Sequence, residues 1–146
     1  MSYLAPELTV VVPTLNEAGN IAELLARLHR ALSGLNWEVI FVDDDSVDAT
    51  RTNIAAAAQT DPRIRLLHRI GRRGLSSACI EGMLASTAPV LAVMDADLQH
   101  DERLLAPMFE AITTRRADLV VGSRYIQGGD IGEWSAKRAS ISRIAT

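Results

Sequence analysis

The feature that most constrains this chain is a rhythm: short β-branched runs alternate with segments whose apolar residues fall three and four apart. Leu8-Thr9-Val10-Val11-Val12 reads as a buried strand stopped by Pro13. After Asn16-Glu17, the spacing of Ile21, Leu24, Leu25, Leu28 and Leu32 predicts one helix face, closed by Ser33-Gly34. Glu38-Val39-Ile40-Phe41-Val42 predicts a second strand, and residues 48–59 a helix ended by Asp61-Pro62. The same reading predicts strands at 64–67, 90–94 and 118–122 and helices at 76–86 and 102–114. Strands separated by helices of this length imply an α/β chain: a Rossmann-like, mostly parallel sheet with helices on both faces.

Composition narrows what such a sheet serves. The chain has 146 residues, 48% of them hydrophobic, which suits one domain spanning residues 1–146. Fifteen basic against eighteen acidic residues give a net charge of -3, so nucleic acid is not an expected partner. The single Cys79 sits in an apolar, helix-like stretch and reads as a small core residue. The chain opens without a signal-peptide pattern and holds no run of roughly 18 apolar residues, so a cytoplasmic protein is expected. Residues 123–146 break the rhythm and stop without an ending signal, so the domain reads as truncated at its C-terminal end.

In open α/β sheets, ligands sit beyond the carboxyl ends of the strands. Those ends here carry residues 13–17, 43–46, 95–99 and Ser123-Arg124. In an extended strand alternate side chains share a face, so Asp95, Asp97 and Gln99 would converge. Two carboxylates ~4 Å apart repel by up to about 4 kcal/mol at an effective dielectric near 20, a cost that a divalent cation removes. Oxygen-only donors suit Mg2+ or Mn2+. Asp101 reads as the N-cap of the following helix instead.

Asp43-Asp44-Asp45 exceeds what capping requires. Asp45 or Ser46 would cap the next helix, while Asp44 could accept hydrogen bonds from a nucleobase or a ribose hydroxyl. Arg69, Arg72 and Arg73 could face a diphosphate, anionic lipid or solvent. His29, His68 and His100 lack zinc spacing, and neither a GxGxxG fingerprint nor a Walker loop is present.

Taken together, the order Val11-Val12-Pro13-Thr14-Leu15-Asn16-Glu17, Val42-Asp43-Asp44-Asp45-Ser46, Gly74-Leu75-Ser76-Ser77-Ala78 and Met94-Asp95-Ala96-Asp97-Leu98-Gln99-His100 resembles family 2 glycosyltransferases. The nearest branch is the polyprenyl-phosphate sugar transferases of the dolichol-phosphate mannose synthase type. Gly122-Ser123-Arg124-Tyr125, Gly128-Gly129, Trp134, Lys137-Arg138 and Ser142-Arg143 continue the match. The resemblance implies a GT-A fold. It implies that Pro13, Leu15, Glu17, Val42 and Asp44 hold the nucleoside, and that Asp95 and Ala96 line the diphosphate. Asp97 and Gln99 would bind Mg2+ or Mn2+, while Arg124 and Arg138 would hold an acceptor phosphate. Asp95, Arg124 and Arg138 form the expected catalytic set. Leu15 and Asp45 depart from the Tyr and Asn common in the branch.

The expected function is therefore inverting transfer of a sugar, mannose foremost, from a nucleotide-diphosphate sugar such as GDP-mannose to a polyprenyl phosphate. Peripheral contact at the cytoplasmic face of a membrane is part of that expectation. The rivals are a truncated nucleotide-binding relative without transfer activity, a sugar-nucleotide pyrophosphorylase and a receiver-like acidic pocket. The loop after the first strand is not the Gly-rich, basic loop of a pyrophosphorylase, and Asp43 to Asp45 end the second strand where a receiver places acids at the first.

Overall fold

The computed structural model describes residues 5–123. Four strands, β1 (Leu8–Thr14), β2 (Trp37–Asp43), β3 (Ile64–His68) and β4 (Val90–Val93), form one sheet in the order β3-β2-β1-β4. All pairings are parallel, with Val11 opposite Ile40 and Val93, and Val42 opposite Leu67. Helices α1 (Ile21–Ala31), α2 (Thr50–Thr60) and α3 (Leu75–Leu84) connect successive strands. After β4, a 3-10 turn (Glu102–Leu104) leads into α4 (Leu105–Thr113).

The period-2 alternation of the strands decides which helix goes where. Val10, Val12, Val39 and Phe41 meet Ile21, Leu24 and Leu28 of α1 and Ile54 of α2 in the larger apolar cluster. Leu105 of α4 and the flanking Phe109 join this side. The alternate residues Val11, Ile40 and Val42 pack with Ala78 of α3 on the opposite face. Each such side chain, fully buried, contributes about 1.5–3 kcal/mol of transfer free energy. Gly82 lets α3 come close: a Cβ there would overlap Val11 and stand 2.8 Å from a Val42 methyl. Helices on both faces of a parallel sheet agree with the fold read from the sequence.

The fifth strand does not form: residues 118–122 lie outside regular structure, with Leu119 and Val121 exposed. An isolated apolar run has no strand without a neighbour to accept its backbone bonds, and none pairs with it among the described residues. The helix expected over 102–114 begins as the 3-10 turn, which Asp101 caps by accepting the Arg103 N–H, as expected of that residue.

Candidate donor site at the carboxyl edge of the sheet

The loops after β1 and β2 are locked together by reciprocal hydrogen bonds. Asn16 N donates to Ser46 Oγ at 2.9 Å, and Val47 N donates back to Asn16 Oδ1 at 3.0 Å. Glu17 N donates to Thr50 Oγ1 at 2.8 Å, Ala18 N to Asp48 Oδ2, and Asn53 Nδ2 to Ala18 O. Beneath them Asp43, fully buried, accepts from Ser46 N, Ser46 Oγ and Thr14 Oγ1. Asn16 and Asp45 take left-handed backbone at φ 57° and 60°, which their short polar side chains tolerate. Neither Asp45 nor Ser46 caps α2, contrary to the sequence expectation. Ala49 stands at the N-cap with no side-chain capping bond, while Asp48 just before it accepts Thr50 N at 2.9 Å, and Ser46 is engaged by Asn16 and Asp43. Asp45 instead turns outward to His68 Nε2 at 2.8 Å and Gly71 N, and the His68 bond holds its carboxyl below the ordinary range.

Asp44 lies one residue further along, buried at the β2 end. Its Oδ1 accepts from Arg69 Nη1, and its Oδ2 accepts Gly74 N at 2.7 Å. Of the three arginines with open readings, Arg69 is therefore withdrawn from both lipid and solvent and paired with Asp44. Arg72 is exposed and ion-paired with Glu81 at 2.7 Å, and Arg73 is exposed.

The loop after β4 is built differently. The strand stops at Val93, and residues 96–98 bend, with Leu98 at φ 62°. The extended alternation expected to converge Asp95, Asp97 and Gln99 is thus replaced by a turn in which Asp97 Oδ1 accepts Gln99 N at 3.0 Å. An apolar residue in the left-handed region costs of order 1–3 kcal/mol, a strain that clusters at ligand sites. Asp95 N donates to His100 Nδ1 at 3.2 Å, closing the turn, and the Asp95 carboxylate is half exposed. Burial pushes the Cys79 thiol up, with the Asp95 charge adding to it, in keeping with an inert cysteine.

Of the residues expected to bind the donor, Pro13 and Glu17 are half-buried and Leu15 is exposed at the rim of this edge. Glu17 Oε2 accepts Asn20 Nδ2 at 2.7 Å. The Val42 side chain packs in the smaller apolar cluster under α3, so any contact from Val42 falls to its backbone. Ala96 is buried in the larger cluster. Among the described residues no three His, Cys, Asp or Glu side chains gather as a metal cage. The oxygen-only set of Asp97 and Gln99 nevertheless fits a hard cation that completes its shell with phosphate oxygens and water. Arg124 and Arg138 lie outside the described residues. The sequence reading placed Ser46 at this edge and left Arg69 open among diphosphate, lipid and solvent; it missed Thr50 and the Gly74 N–H as parts of the edge. Neither follows a strand directly: Thr50 opens α2 and Gly74 precedes α3, and each meets its partner across 30 or more positions.

The glycosyl transferase family 2 model matches residues 9–145. A dolichol-phosphate mannosyltransferase of Pyrococcus furiosus is 40% identical over 95% of this chain and 39% of its own length. A polyprenol monophosphomannose synthase of Mycolicibacterium smegmatis is 34% identical over 93% of this chain and 52% of its own. The chain thus spans about two fifths to one half of the curated relatives it matches. Among solved structures, a mannosyltransferase of Pyrobaculum calidifontis in complex with GDP-Man and Mn2+ superposes with a TM-score of 0.61 at 28% identity, over 74% of this chain and 33% of that one. With a parallel sheet wrapped on both faces, polar loops gathered at its carboxyl edge and a family match over nearly its whole length, the chain has the GT-A fold and belongs to glycosyl transferase family 2.

Proposed function

We propose that this chain carries the donor half of an inverting glycosyltransferase that moves mannose from GDP-mannose to a polyprenyl phosphate. The observation that carries the reading is the gathering of residues 13–17, 43–46 and 95–99 at one edge of a parallel sheet, in a chain whose curated relatives are named as polyprenyl-phosphate mannosyltransferases. Membership of this family leaves the pyrophosphorylase and receiver readings without support.

In this proposal Pro13, Leu15, Glu17 and the Val42 backbone border the nucleoside, and Asp44 accepts its N–H or O–H donors. Asp95 and Ala96 flank the diphosphate, and Asp97 and Gln99 hold Mg2+ or Mn2+. A bound divalent ion supplies Lewis-acid neutralisation of the departing nucleoside diphosphate. The acceptor phosphate is already anionic, so the chain needs cations that orient it more than a strong base. Arg124 and Arg138 take that role, since a guanidinium fork binds phosphate bidentately. Attack from the face opposite the diphosphate inverts the anomeric carbon.

A lipid acceptor places the enzyme at the cytoplasmic face of a membrane, in peripheral contact. Among the described residues no helix is long and apolar enough to cross one.

Thermal melting with GDP, UDP, GDP-mannose and UDP-glucose, with and without Mn2+, tests the donor site. A ligand at 100 times its Kd adds about 2.7 kcal/mol. A Mn2+-dependent upward shift with the guanine nucleotides supports the reading, and a folded chain that no nucleotide shifts overturns it. Transfer to polyprenyl phosphate tests the chemistry. Arg124→Ala and Arg138→Ala should lower turnover and leave GDP affinity nearly intact, whereas equal loss of GDP binding would refute their assignment to the acceptor.

A further inference from the structure

Among the described residues Arg69 is the only buried arginine, at 2% exposure, and its surroundings are unusually committed. One Nη1 reaches both Asp44 Oδ1 and Gly74 O, and Nη2 donates to Ser77 Oγ at 2.5 Å. Ser77 Oγ donates in turn to Gly74 O at 2.9 Å, and Glu81 Oε1 stands 3.3 Å from Nε. The Arg69 backbone continues β3 by donating its N–H to Asp43 O. A cation thus sits between two carboxylates and holds the turn at Gly74, where φ is 139°, against the end of β2.

We infer that Arg69 is a positioning residue of the donor site, acting on the nucleoside through Asp44. The inference rests on the proposal that Asp44 reads the nucleoside. A carboxylate offers about four acceptor sites. Arg69 takes one on Oδ1 and the Gly74 N–H takes one on Oδ2, which fixes the rotation of the carboxylate. The remaining sites are left, in a set orientation, for the N–H or O–H donors of a nucleoside. The same guanidinium gives the buried Asp44 carboxylate its ion-pair partner. Arginine suits the place because a planar fork engages Asp44 and the Gly74-Ser77 turn at once, and a lysine ammonium holds no such plane. The chain therefore sets Asp44 before any nucleotide arrives.

The test measures binding of GDP, with UDP in parallel, and of pyrophosphate with Mn2+. The proteins are the wild-type chain, Arg69→Lys, Arg69→Met, Asp44→Asn and the double variant Asp44→Asn/Arg69→Met, each first checked for a cooperative melt. Arg69→Met should weaken GDP binding roughly tenfold or more, the scale of a lost hydrogen bond to a charged group. Pyrophosphate binding should be unchanged, and Arg69→Lys should recover part of the GDP loss. In the Asp44→Asn background, Arg69→Met should add little, because the group through which it acts is gone. If Arg69→Met does not fold, the same cycle is run with Arg69→Lys.

Losses that simply add, equal losses for GDP and pyrophosphate, or no loss in a folded Arg69 variant would each overturn the inference. A wild-type chain that binds neither nucleotide is a separate result, which removes the nucleoside reading itself and the inference with it.

Discussion

The loops after β2 and β4 both bring carboxylates to the same sheet edge, and the fold treats them in opposite ways. Asp43 and Asp44 are buried, and their oxygens are taken by Ser46, Thr14, Arg69 and the Gly74 N–H. Asp95 is half exposed and Asp97 accepts one backbone N–H within its own turn. Asp43, with three donors on its oxygens, is framework, since removing it strands its partners, whereas Asp44 is fixed by two donors and keeps acceptor sites. Asp95 and Asp97 are less committed and keep acceptor capacity, with His100 Nε2 3.6 Å from Asp95 Oδ2. Similar residues thus give a buried, hydrogen-bonded β2 end and a more exposed β4 end.

The sharpest way to break this comparison is Asp43→Ala. It strands Ser46 N–H, Ser46 Oγ and Thr14 Oγ1 and leaves Arg51 Nε, 3.6 Å away, unpaired. The expected loss is about 3–5 kcal/mol in urea unfolding. A loss below 1 kcal/mol would show that the β2 end is no more structural than the β4 end. Gly82→Ala should come next, at about 1–3 kcal/mol, because its Cβ drives α3 off Val11 and Val42. An unchanged stability would mean that the α3 face yields.

A smaller effect, far from both loops, comes from Asp61. Hydrogen bonds from Arg63, with help from His29, hold its carboxyl well below the usual carboxylate range. A depressed folded pKa gives stability that is present above the ordinary value near 4 and lost as pH falls through the folded value. Melting midpoints followed downward from pH 5 should therefore fall less steeply in Asp61→Asn than in wild type. Parallel curves would remove Asp61 from the acid transition.

Smallest of all is Asp97→Asn. Without metal it should change stability by less than about 0.5 kcal/mol, because asparagine keeps an Oδ1 acceptor for Gln99 N. With GDP present it should abolish the extra stabilisation given by Mn2+. A large metal-free loss in melting would erase the contrast with Asp43.

The strands were legible because β-branched runs such as Leu8 to Val12 are short and stand apart from the helical spacing, although Pro13 does not stop β1, which pairs on through Thr14. The α1 face was legible from Ile21, Leu24, Leu25 and Leu28, all buried as the spacing required. What escaped was pairing across distance. Arg69 read as one charge of a loop because its partner Asp44 lies 25 positions away, and only the β2–β3 adjacency brings them together. Residues 118–122 look like a strand locally, but a strand needs a neighbour, and neighbours are not written in local propensity. The bend after Val93 escaped because no local rule expects Leu98 in a left-handed turn.

The mutual bonding of Asn16 with Ser46 and Val47, and of Glu17 and Ala18 with Thr50 and Asp48, bears on any exchange of loops at this edge. Each loop supplies the other's missing donors and acceptors, so grafting residues 13–18 alone from a relative would leave unmatched groups on the recipient. The transferable module is the pair, residues 13–18 together with 43–50, moved as one piece.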